Sequence, residues 1–189
     1  MREDVIHIKK ELRAAMNGVV SAKMREAGMP YKLIFGVELP RLSEIAREFT
    51  PDRELAQTLW NENIRECKIL AAMLMPQDCM TTELADIWVE EIPTAEIAQI
   101  LTLHLFCRQK WAADTAFRWI ATSHPQRVLC GFLIMARLLA QGAQLNDFSR
   151  AELLDQAEAA LSDADLHTRK AIQAVMERLN TPTENEEQP

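Results

Sequence analysis

Residues 97–106 and 128–139 are apolar on nearly every side when read at helical period. A helix of that kind has no face to give to water and must be enclosed by neighbours on several sides. Neither can cross a bilayer, because the longest run free of charged residues, 97–107, has 11 residues where a membrane helix needs about 18. The chain must therefore supply further helices, with these two as inner members of a stacked array.

The rest of the sequence supplies them. Thr50-Pro51-Asp52 sets a capping hydroxyl before a proline suited to the first helical position, Ser149-Arg-Ala-Glu152 has the form of a capping box, and Ser162-x-x-Asp165 is a weaker relative of one. Pro40, Pro93 and Pro125 stand at further helix starts. Between these signals Leu55, Leu59, Ile64, Cys67, Ala71 and Leu74 keep an apolar stripe, as do Ile172, Val175, Met176 and Leu179. No useful strand alternation occurs, and only 5 glycines are available for tight turns. Helices are expected near 3–16, 18–27, 39–48, 52–60, 62–74, 82–90, 95–106, 110–121, 125–140, 149–161 and 164–179. The fold class that follows is all-α, an α-α superhelix of helical repeats. Trp60, Trp88 and Trp119, 28 and 31 residues apart, each close a helix a few residues after an alanine, a period slightly short of the usual helix-pair repeat. Chance spacing of three tryptophans is the plainer alternative.

One domain is expected over 1–179, followed by a disordered acidic tail over 180–189. The first residues, Met1-Arg2-Glu3-Asp4, carry acids where a secretory leader would carry a basic patch, and a cytoplasmic location is expected. The 4 cysteines show no CxxC pair and read as small core residues in a reducing compartment.

The net charge of −7 is unevenly distributed. Residues 51–100 carry 3 basic and 10 acidic groups, and 141–189 carry 4 and 10, whereas 101–140 carry 5 basic groups against Asp114 alone. An acidic total disfavours indiscriminate nucleic-acid binding, but it leaves room for one basic face. Arg108, Lys110, Arg118 and Arg127 are the candidates, and a chance imbalance on a solvated surface is the alternative.

Catalytic motifs are missing. No phosphate-binding glycine loop, HExxH or GxSxG is present. His104 and Cys107 are three apart but lack further ligands nearby, so core packing is the better reading and no metal or cofactor is expected. Glu90 and Glu91 are adjacent and would point about 100° apart on a helix, too far round for a shared-proton pair. Trp111 and Asp114 could set an aromatic beside a carboxylate, although Asp114 pairing with Lys110 or Arg118 is the simpler expectation. Trp119 is expected in the core with Trp60 and Trp88.

Three segments resemble the DNA alkylation repair family, the HEAT-like repeat alkylpurine DNA glycosylases. They are Tyr31-Lys-Leu-Ile-Phe-Gly-Val-Glu-Leu-Pro-Arg-Leu42, Leu59-Trp60 with Arg65-Glu66, and Arg118-Trp-Ile-Ala121 with Arg169-Lys-Ala-Ile172. The resemblance implies a HEAT-like array with a basic groove for double-stranded DNA, adding Arg169 and Lys170 to the candidate contacts. It also implies hydrolysis of the N-glycosidic bond of cationic alkylated purines, in which an aspartate flanked by tryptophans stabilises charge growing on the deoxyribose. This chain departs from the family at those places. The matching helix opens Pro93-Thr-Ala-Glu-Ile-Ala-Gln99, which sets Ala95 and Gln99 where the tryptophan and aspartate would stand. A second tryptophan falls on Ala174, and the active-site arginine falls on Leu129, or on Arg127 with a two-residue shift. Glu96 is the one candidate substitute carboxylate. The expected function is duplex or damaged-DNA binding with base excision lost. The alternatives are a protein-binding scaffold and an active 3-methyladenine or 7-methylguanine glycosylase using other residues. No membrane partner is expected.

Overall fold

The computed structural model describes residues 2–180; of the tail expected over 180–189, Asn180 ends the last helix and 181–189 lie outside the described residues. The described chain forms eleven α-helices: α1 (Arg2–Ala14), α2 (Gly18–Glu26), α3 (Leu39–Arg47), α4 (Arg53–Trp60), α5 (Arg65–Leu74), α6 (Thr82–Glu90), α7 (Ala95–His104), α8 (Ala112–Ile120), α9 (Pro125–Ala140), α10 (Asp147–Ala160) and α11 (Leu166–Asn180). Short 3-10 turns follow α5 and α7, and among the described residues the only β pairing is one parallel bridge between Leu33 and Ile64.

Several helix starts differ from those read off the sequence. The cap of α4 is Asp52 and not Thr50, because Asp52 accepts from the Leu55 N–H at 2.7 Å. Asn146 caps α10 through the Ser149 N–H at 2.8 Å, so Ser149 lies inside the helix and does not open it. At α11 the Thr168 N–H binds Asp165 at 2.7 Å, leaving Ser162 outside the cap. In each case a carboxylate or amide serves as the acceptor in place of the nearby hydroxyl; the ranking of capping side chains favours this over Thr50, whereas Ser ranks level with Asn and Asp, so at α10 and α11 the path of the chain decides. The helix expected over 95–106 ends at His104, where the chain tightens into a 3-10 turn over Phe106–Arg108.

The odd-numbered helices from α3 onward form one layer, and α1 packs on α4. α3 packs on α5, α5 on α7, α7 on α9 and α9 on α11, while α4 and α8 cover this row from the other side against α5 and α9. The two all-round apolar segments become α7 and α9, both interior to the row as their composition requires. Gly131 allows α9 to approach α8: a Cβ there would lie 2.6 Å from Ile120 Cγ1 and 2.9 Å from the Ala116 carbonyl. Trp60, Trp88 and Trp119 are fully buried.

The pairs repeat. Hydrogen bonds join residues 31–33 positions apart: Trp60 to Glu91, Trp88 to Gln57, Arg65 to Glu96, Gln109 to Gln77, and both Arg118 and Trp119 to Asp86. Trp60 and Trp88 lie face to face, their rings 4.4 Å apart and 6° from parallel. Trp119 instead meets Phe106 edge-on at 5.3 Å.

At the first end of the array the 31–37 segment is tied to α5 by a buried carboxylate. Glu66 accepts from the N–H groups of Phe35, Gly36 and Val37 at 3.1, 2.9 and 3.3 Å. Arg65 donates to Glu66 and to the Val37 carbonyl at 3.0 and 3.1 Å. Gly36 sits at φ +74°, and a Cβ there would stand 2.5 Å from the Asn17 carbonyl oxygen. All four cysteines are free thiols; burial pushes Cys67 and Cys130 up to about 12 and Cys107 to about 11, so these three are unreactive near neutral pH.

Replacing Glu66 with Ala leaves three amides without their acceptor inside the protein and takes from Arg65 one of its two carboxylate partners, and is expected to cost about 3–5 kcal/mol. Gly36→Ala is expected to cost at least about 2 kcal/mol through φ strain and the clash at Asn17. Urea unfolding checks both, and a loss under about 1 kcal/mol in either would contradict the role given to this junction.

Candidate nucleic-acid interface

The N-terminal ends of α7, α9 and α11 meet around a cavity of about 170 Å³. Its walls include Pro93, Ala95, Gln126, Leu129, Asp165 and His167. Thr94 caps α7 and also meets the Tyr31 hydroxyl at 3.0 Å, while Asp165 caps α11. The N-cap of α9 is His124, whose side chain makes no capping bond, so the first-turn amides of α9 have no side-chain partner. Three positive helix ends therefore face one cleft, and the middle one lacks a side-chain cap.

Of the four positions read against the family's active site, this cavity unites Ala95 and Leu129. Gln99 is exposed on α7 one turn further along, and Ala174 is half-buried on α11; neither lines the cavity. Arg127, the arginine reached by a two-residue shift, is nearly opposite Leu129 on the helix. Its guanidinium turns to α6, 2.7 Å from Glu90 and 3.9 Å from Asp86. Glu96 is also committed: it holds Arg65 through two bonds, of 2.8 and 2.5 Å.

The basic residues of 101–140 are divided: Arg118 and Arg127 turn to acids of α6, whereas Arg108 and Arg137 are exposed and both lie close enough to His104 to act on its charge. Arg118 bonds Asp86 at 2.7 Å, which corrects the expected pairing with Asp114; Asp114 stands exposed with no ion pair to Lys110 or Arg118. Arg108 and Lys110 are exposed beyond the far end of α7, with its length between them and Ala95. Arg169 donates to the Ala164 carbonyl at 3.3 Å, and Lys170 is exposed without an ion pair among the described residues. Trp111 is half-buried, 6.2 Å from Phe106. Among the described residues no cluster of three or more His, Cys, Asp or Glu is arranged to hold a metal, and no helix is long and apolar enough to cross a membrane.

Sequence reading missed two contributors. Asp165 was recognisable as part of a cap, yet nothing local says that it borders the cleft across from Ala95. Asp86 was unmarked, although it anchors both Arg118 and Trp119; the tryptophan spacing near 31 residues was the available signal that residues one repeat apart would meet.

A family model described as "DNA alkylation repair enzyme" matches residues 8–182. The chain belongs to the DNA alkylation repair family. No curated protein matches it significantly. Among solved structures, one described as "A new family of proteins related to the HEAT-like repeat DNA glycosylases with affinity for branched DNA structures" superposes with a TM-score of 0.79 at 16% identity. The match covers 92% of this chain and 74% of that one. The fold of this family member is thus the HEAT-like array that its helices indicated.

Burial raises the Asp86 carboxyl, but the bonds from Arg118 and Trp119 outweigh it and hold the group below its usual 3.8. A carboxyl depressed in the folded state contributes stability that is present above pH 3.8 and lost as pH falls below it. Asp86→Asn is therefore expected to flatten that acid limb of the stability profile and to alter Trp119 fluorescence at neutral pH. An unchanged acid limb in the variant would remove Asp86 from this role.

Proposed function

We propose that this protein binds duplex or branched DNA across the cleft at the N-terminal ends of α7, α9 and α11, and that it does not excise bases. One observation carries the second half of this reading. The position matched to the family's aspartate is Gln99, a neutral side chain, and the nearby Glu96 is held by Arg65. A neutral amide cannot offset the positive charge that grows on deoxyribose as the glycosidic bond breaks. DNA binding itself is supported by membership of the family and by the open amides at the α9 N-terminus, a place suited to a phosphate oxygen. Branched DNA enters because the structural relative is described as having affinity for it.

The experiment is fluorescence anisotropy with a linear duplex and a three-way junction, followed by an excision assay on N7-methylguanine duplex. Binding is expected to weaken steeply with salt, by a slope of about 0.9 for each phosphate contacted. No base release above the spontaneous rate is expected. Release above it would overturn the reading in favour of an active glycosylase. Absence of binding at low salt would leave the protein-binding scaffold.

A further inference from the structure

The edge of the row opposite the cleft carries charge that the fold leaves unused. The cleft gathers the N-terminal ends of α7, α9 and α11, so these packed helices run parallel and their C-terminal ends lie together on the far side. There the chain leaving α7 folds against α9, with the Cys107 thiol 4.0 Å from the Ile134 carbonyl. Gln77 donates to the His104 carbonyl at 2.7 Å, and Gln109 donates to the Gln77 side chain at 3.0 Å. A chain of amides thus closes the end of α7 without engaging a cation.

Three cations stand around this corner. Arg108 on the 3-10 turn, Lys110 just after it and Arg137 on α9 are exposed, and none has an ion pair among the described residues. Two of them converge on His104. Burial first, and then the charges of Arg108 and Arg137, hold its imidazole below the usual 6.5, and no carboxylate of the described residues acts against them. The Arg137 charge acts on the Cys107 thiol as well. Asp78 is the acid of the adjacent turn, which leaves the corner net positive.

Like charges gathered on a surface repel one another and draw in a polyanion. Duplex DNA offers about one phosphate charge per 1.7 Å of its axis, and each contact releases a counterion. Placement decides which stretch of DNA is meant. Arg137 lies about 18 Å along α9 from Pro125, and Arg108 lies past the whole length of α7. A duplex lying along the N-terminal edge runs past the three helix ends and leaves the opposite edge open. A second arm, diverging from the first at a branch point, crosses the row and meets it. We propose that Arg108, Lys110 and Arg137 hold the phosphates of a second duplex arm, so that the protein grips branched DNA at two edges and linear DNA at one. This inference rests on the DNA-binding reading above.

Anisotropy on the full chain, with a linear duplex and a three-way junction of equal total length, tests it between about 50 and 200 mM salt. The junction is expected to bind at least about tenfold more tightly at low salt. Its salt slope is expected to be steeper by nearly 3, at about 0.9 for each of three further contacts. Arg108→Glu combined with Arg137→Glu is expected to bring the junction down to the linear duplex in affinity and slope, and to leave the linear duplex unchanged within about twofold. If that double variant does not fold, the difference in slope between the two DNAs on the unaltered chain decides. A junction bound no more tightly than the duplex, or with the same slope, overturns the proposal and leaves the DNA reading standing. A junction preference that survives the double variant overturns it too, as does equal weakening of both DNAs, which would assign the corner to one continuous duplex track. Binding of neither DNA removes the DNA reading and this inference with it.

Discussion

Glu66 is the interaction on which the first half of the array depends. An ionised carboxylate in the core is costly unless every lone-pair direction is used, and here three backbone amides and Arg65 use them. The consequence is geometric. Residues 35–37 cannot continue a helix, since their amides are drawn to one carboxylate, and Gly36 adopts the positive φ that the bend requires. Arg65 then reaches from this junction to Glu96 on α7, so one buried pair joins the entry loop, α5 and the helix that borders the cleft.

The same logic, weaker and more exposed, carries the stack onward. Trp60, Trp88 and Trp119 bury large rings but must place an indole N–H, and each finds an acceptor one repeat away in Glu91, Gln57 or Asp86. These bonds set the offset between successive pairs. With that offset fixed, α7, α9 and α11 arrive in register with their N-terminal ends together, and the cleft is the space their ends enclose. Asp86, Glu90 and Glu96 are engaged within the stack, each binding an arginine of a neighbouring element. Two of those arginines, Arg118 and Arg127, are thereby engaged, while Arg108, Lys110 and Arg137 of the same segment stay exposed without an ion pair among the described residues.

The helices and their order were legible because they follow from local signals: apolar period, prolines at helix starts, and few glycines. The capping residues themselves were less so. At α4, α10 and α11 two acceptors lie within a few residues of each other, and which one the first-turn amide meets depends on the entry direction of the chain. Ala95 and Leu129 were matched to the family's site by motif, and they do share a cavity, whereas Gln99 and Ala174 stand outside its lining. Asp165 and His167 reach the cleft from the start of α11, more than thirty residues further along the chain, and no local pattern could have said so.

The sequence by itself determined an all-helical array with α7 and α9 enclosed, because a helix without a polar face has only one stable environment. Tertiary structure decided which charges remain available. An ion pair between Arg118 and Asp86, or Arg65 and Glu96, joins residues 32 or 31 positions apart, and such a pairing depends on the offset between helix pairs. Tertiary structure likewise created the cleft cavity, since a cavity is bounded by the ends of several helices and belongs to no one of them.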